Sequence, residues 1–221
     1  MNDAIRRRMD KIDRERVFIT DNSADFPKDS PVDRISVLIN AKAAEVLAHD
    51  ASLVSALGDK SEALAIKDHD RDILLEMFRD IVSGAIGIGD TAVPGITAKF
   101  KMPHPRTEQN IIAKADSMFA ETAPPLEEKF ISAGLDEDFR DNLIAAKTAF
   151  QTSRDNADSA TEEHGEAVGA LNALIREMME LSRQRSALVK LKYKNNPGKL
   201  AAWAIASHLE QPPQKSLITS P

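Results

Sequence analysis

Apolar residues recur every three or four positions along most of this chain, the spacing of amphipathic helices, and nothing in the pattern calls for strands. The longest such seam opens at Asp136. Phe139, Leu143, Ala146, Phe150, Ser153, Ala157, Ala160, His164, Val168, Leu171, Ile175, Met178 and Leu181 follow it in alternating steps, with no intervening proline, and the seam continues less cleanly to Tyr193. It is weakest between Ser153 and Gly165, where RDNADSATEE brings poor helix formers and a Ser159…Glu162 capping-box match. One long helix and a hairpin broken near Asn156 both fit this stretch. A chain reversal normally disturbs the phase of a seam, and here the phase survives, so one long helix is expected.

Upstream, Ile5, Met9, Ile12, Arg16 and Ile19 space an amphipathic helix over Asp3 to Thr20. The segment DNSADFPKDSP is turn chemistry. A second helix is expected from Ser30 or Asp33, with Pro31 preset for its first turn, and Ile35, Ile39, Ala43, Val46, Leu53 and Leu57 on one face. Gly58 reads as a left-handed stop and Ser61 as the cap of a third helix running to about Ile86, so that 30–88 forms a helical hairpin. A crossover over 89–106 follows, then a long helical region over 107–195 that Pro124-Pro125 kinks or restarts. Asn195-Asn196-Pro197-Gly198 makes a sharp turn into a short terminal helix over 196–209 anchored by Trp203, and 210–221 is expected to be a disordered tail. The sum is an all-α fold in one domain over 1–209: an up-and-down, four-helix-type bundle with one long C-terminal helix and extra short terminal helices.

Composition narrows the function classes. Cysteine is absent, which removes disulfides, thiolate metal sites and cysteine nucleophiles and fits a reducing compartment. No window approaches the ~18 apolar residues of a membrane span, and the first residues lack a signal-peptide core, so a cytoplasmic protein without membrane partners is expected. A formal net charge of −6 argues against a dedicated nucleic-acid binder. The charge is unevenly spread: Asp136 to Glu166 balances to −6, and Arg176 to Lys199 to +5.

Motifs with chemistry are few. Gly87-Ile-Gly89-Asp-Thr-Ala92 formally matches a dinucleotide fingerprint, but a helix rather than a strand precedes it and Pro94 follows, so it reads as a helix stop. None of the five histidines has glutamate three residues before it, and HExxH is absent, which disfavours di-iron and zincin sites. His49, with Glu45 one turn earlier, and His164, in the long seam, are the metal or pH-sensing candidates; no cofactor and no catalytic residue is indicated. Adjacent carboxylates such as Glu127-Glu128 and Asp136-Glu137-Asp138 point to different helix faces and read as solubility or helix-start charges. Arg6-Arg7-Arg8 with Lys11, Arg14 and Arg16 is diluted by Asp10, Asp13 and Glu15, while Lys190, Lys192 and Lys194 suit the dipole at the end of a helix.

The stretch from PGITAKFKMPHPRTEQ through FISAGLDEDFRDNL, together with the ending KYKNNPGKLAAWAIASHLE, resembles a family of uncharacterised bacterial helical-bundle proteins over about Val32 to His208. That resemblance implies a helical fold and brings no activity with it. The leading expectation is therefore a non-enzymatic interaction or structural protein acting through a protein partner or self-association. The alternatives are a small-ligand or metal-binding bundle and weak nucleic-acid or anionic-surface binding.

Overall fold

The computed structural model describes residues 3–210, and every regular element among them is helical, with no strand. Seven α-helices follow in order: α1 (Asp3–Asp21), α2 (Pro31–Ala92), α3 (Ile96–Lys99), α4 (Glu108–Glu121), α5 (Leu126–Ser132), α6 (Phe139–Lys192) and α7 (Pro197–Ala206). A single 3-10 turn, Ser23–Asp25, lies in the predicted turn region. The expected disordered tail falls outside the described residues apart from Glu210.

The start of α2 follows the sequence signals. Pro31 opens it, Ser30 Oγ accepts from Asp33 N at 3.2 Å, and Asp33 Oδ2 accepts from Asp29 N at 2.9 Å. The expected hairpin over 30–88 is not formed, because α2 continues through Gly58 without a break. One interior glycine costs only about 1 kcal/mol relative to alanine, too little to end a helix in which Ala56, Leu57, Lys60 and Glu62 around it favour the helical state. Ser61 caps nothing. Its hydroxyl donates back to the Leu57 carbonyl at 2.8 Å, one turn earlier on the same helix. The interruption comes instead at Gly89, whose φ of 73° and ψ of 153° leave helical space inside the α2 span. Beyond it, Asp90 accepts from Thr97 N at 3.1 Å and from Thr97 Oγ1 at 2.7 Å, tying the crossover to α3.

The long-helix reading of the seam is met: α6 is one element from Phe139 to Lys192, and neither Asn156 nor the Ser159…Glu162 match interrupts it. Pro124-Pro125 separates α4 from α5, and Asn196 Oδ1 accepts from Lys199 N at 3.1 Å to cap α7. The chain forms two compact units, Met1–Ser55 with Gly165–Pro221 and Ala56–His164, and α2 and α6 each contribute one segment to both.

In the first unit, Ile5, Met9 and Ile12 of α1 meet Ile39 and Val46 of α2 and Leu171, Ile175 and Met178 of α6. A second cluster joins Phe18, Phe26, Val32, Val189, Tyr193 and Trp203; the Phe18 and Trp203 rings lie 5.1 Å apart, docking α7 on α1. In the second unit, Leu74, Phe78 and Ile81 of α2 pack with Ile111 and Met118 of α4, Phe130 of α5, and Phe139, Leu143 and Phe150 of α6. Gly84 lets α5 close in. A Cβ there would sit 2.7 Å from Leu135 Cδ1 and 2.9 Å from Phe130 Cδ1.

Candidate functional site

The apolar stripes of α1 and α6 in the first unit both run into charge. Three residues past Ile12 stands Glu15; past Met178 the seam continues through Ser182 and Arg185 before Val189 and Tyr193. Glu15, Ser182 and Arg185 have no accessible surface, and Lys11 is buried beside them. Glu15 Oε2 accepts from Arg185 Nη2 at 2.5 Å, and Oε1 lies 3.0 Å from Lys11 Nζ. Lys11 Nζ donates to Ser182 Oγ at 2.6 Å, and Ser182 Oγ in turn donates to Glu15, 3.1 and 2.9 Å from its two oxygens. Arg185 Nη1 reaches Ser36 Oγ of α2 at 3.4 Å, while Arg185 Nε is buried without a hydrogen-bond partner.

Two cations thus share one carboxylate in a site sealed from solvent. Such a cluster is strongly destabilised when one member is removed, and its directional bonds fix which turn of α1 faces which turn of α6. It positions helices and offers no surface to a substrate. Sequence reading missed it because Lys11 and Glu15 look like members of a mixed charged surface. The available signal was spacing: Glu15 and Arg185 occupy the next stripe positions of two apolar seams.

The residues singled out from the sequence are not brought together. Glu45 and His49 lie exposed on α2, and Glu45 is engaged by Lys42 at 3.0 Å. Lys42 also reaches Glu177 of α6 at 3.1 Å, and its pKa is raised, first by the hydrogen bond to Glu45 and then by that to Glu177. His164 is half-buried on α6, and its Nδ1 is buried without a hydrogen-bond partner. No group of three His, Asp or Glu side chains among the described residues is arranged to hold a metal ion.

The amino-terminal basic cluster is dispersed rather than pooled. Lys11 is internal, Arg6 pairs with Asp3, Arg16 pairs with Asp13 at 2.8 Å, and Arg14 donates to the His208 carbonyl at 2.7 Å. Lys190, Lys192 and Lys194 are exposed at and just beyond the end of α6. No helix among the described residues is long and apolar enough to cross a membrane.

Three surface features remain. On α2, within the first unit, Val37, Leu47 and Val54 are 61%, 53% and 64% exposed, with exposed Ala44 and Ala51 between them. Beside them runs a groove of about 410 Å³ between α1 and α2, floored by Met9, Ala43, Ala44 and Leu47 and edged by Arg6, Asp10, Asp13 and Arg16. The second unit carries a cleft of about 350 Å³ between α2 and the α5–α6 turn, with Met77, Ile81, Leu135 and Phe139 as apolar wall and Asp80, Asp136 and Asn142 as polar groups. The crossover over 89–106 does not line it.

By sequence, the first unit has 17 basic and 14 acidic residues, a net +3, and the second has 12 basic and 21 acidic, a net −9. Comparison with known proteins finds no matching family model, no matching curated protein and no matching solved structure.

Proposed function

We propose that this chain is a non-enzymatic, cytoplasmic helical protein that works through protein contact, and that a second copy of itself covers the open face of α2. The observation that carries this reading is the row Val37, Leu47 and Val54 with Ala44 and Ala51. A helix that buries one stripe in its own unit is ordinarily polar on the other side, whereas one that is apolar all round is a covered helix. The alanines between the larger side chains permit close approach of a second helix backbone. A partner helix laid in the adjoining groove uses the helix-in-groove mode, and with α1, α2 and α6 it would complete a four-helix bundle.

Charge favours a second copy as the occupant. A contact of this groove with its own copy sets Arg6 and Arg16 against Asp10 and Asp13 and gives the association a dependence on salt. The groove edge carries both signs, Arg6 and Arg16 against Asp10 and Asp13, which suits a self-complementary interface. Kinship with uncharacterised bacterial helical proteins, which we infer from the chain's ending and its Pro-Gly crossover, is compatible with this role and supplies no activity.

Size-exclusion chromatography with light scattering tests the proposal. A dimer mass at low salt is expected, falling toward the monomer as salt rises, with Leu47→Glu/Val54→Glu monomeric and fully helical. A wild-type chain that stays monomeric at high concentration and low salt overturns it.

A further inference from the structure

A second groove in the first unit, distinct from the open α2 face, has a different chemistry. It lies between α1 and α6, has a volume of about 460 Å³, and is lined by Arg8, Arg176, Arg183, Asn172, Ile175 and Met179. Three arginines line it and no aspartate or glutamate does. Helical spacing explains why two of them, Arg8 and Arg176, stay uncompensated. Arg8 has Ala4, Ile5, Lys11 and Ile12 at the positions three and four residues away, so its own helix offers it no acid. Arg176 has one acid at such spacing, Glu180, and Arg183 takes it at 3.1 Å. Among the described residues neither the Arg8 nor the Arg176 side chain has a hydrogen bond or an ion pair.

Like charges gathered in one groove repel, and an anion seated among them removes that repulsion while accepting several charge-assisted hydrogen bonds. Guanidinium forks match the oxygens of a phosphate group in pairs, and the Asn172 amide adds a neutral donor. Ile175 and Met179 form an apolar wall against which a short carbon skeleton rests. From the three arginines lining one groove, two of them unpaired, we propose that the α1–α6 groove is a binding site for a phosphomonoester group. The shared chemistry is the phosphate dianion, whether it belongs to a small soluble ester or to a lipid headgroup.

The test uses the full chain and watches the arginine side-chain Nε–H signals by NMR during titration with glycerol phosphate, against sodium chloride at matched ionic strength. Saturable shifts confined to Arg8, Arg176 and Arg183 are expected, with at least a tenfold weaker affinity in Arg8→Gln/Arg176→Gln. That variant leaves the buried Lys11–Glu15–Arg185 cluster intact, and an unchanged melting curve verifies its fold. Should it fail to fold, localisation of the shifts in the wild type decides alone. Flotation with vesicles containing phosphatidic acid, against phosphatidylcholine alone, separates the two sources. Binding to the vesicles without response to glycerol phosphate assigns the site to a headgroup, and the reverse assigns it to a soluble ester. Identical responses to glycerol phosphate and chloride, with no preference for the phosphatidic acid vesicles, overturn the proposal.

Discussion

The same two helices, α2 and α6, run through two cores of opposite character. In the second unit the core is aromatic and contains no fully buried charged residue: Phe100, Phe130 and Phe139 stack edge-on or tilted, with centroids 5.1 and 5.9 Å apart. Its buried polar side chains, Thr122 and Ser153, satisfy themselves on carbonyls of their own helices, at 2.8 Å to Met118 and 3.2 Å to Phe150. In the first unit the core contains Lys11, Glu15, Ser182 and Arg185, and their bonds join α1 to α6 across the chain. The second unit is held by shape. The first adds a register that only these polar groups specify, a difference with large consequences for substitution.

The largest expected effect comes from Glu15→Gln, which leaves Lys11 and Arg185 buried without a counter-charge and should cost about 3–5 kcal/mol in chemical denaturation. Replacing Lys11, Glu15 and Arg185 together by Met, Leu and Met should restore stability or exceed that of the parent. If the triple replacement unfolds the chain while Glu15→Gln is silent, the cluster is not what holds the first unit.

In the other core the sensitive position is a contact. Gly84→Ala drives a methyl group into Leu135 and Phe130 and should cost about 1–3 kcal/mol. Gly58→Ala should do the opposite. No atom lies within 4 Å of a Cβ built there, so the substitution should stabilise by up to about 1 kcal/mol. A loss at Gly58 would revive the hairpin reading of α2.

The smallest effects are in pH. Burial, and then the hydrogen bond to Asp25 at 2.7 Å, pushes the Tyr193 phenol well above its ordinary value of 10.0. Its contribution to stability is therefore present below pH 10.0 and is lost only as pH rises through the elevated folded value. Because the chain has one tyrosine, phenolate absorbance reads this directly, and Asp25→Asn should lower the titration midpoint. Asp90, exposed on the crossover, is held below 3.8 by the Thr97 hydroxyl and amide. Its contribution is present above that value and fades as pH falls through the lowered one, and Thr97→Val should bring the carboxyl signal back toward 3.8 in an NMR titration.

Periodicity made much of this fold readable. Phe139, Leu143, Phe150, Leu171, Ile175 and Met178 were placed on the buried seam of α6 by spacing alone, and all are buried. Gly58 misled because glycine ends a helix only where the chain gains by turning left-handed, and nothing near it rewards that turn. Glu15 and Arg185 were hidden because a charged side chain in a stripe is read as a gap. Only the partner 170 residues away turns it into a core position. The open face of α2 was hidden for the complementary reason: one helix can carry two apolar faces, and spacing does not tell which is covered by its own chain.

The covering of that second face is the central functional claim, and the absence of cysteine makes it directly measurable. A single thiol introduced by Ala51→Cys, between Leu47 and Val54, is timed for maleimide labelling over a range of protein concentrations. Ser52→Cys, one residue farther round the helix, serves as the reference. The account predicts that the thiol at 51 becomes slower to react as concentration rises, while the one at 52 changes much less. Labelling rates at 51 that do not depend on concentration would contradict it.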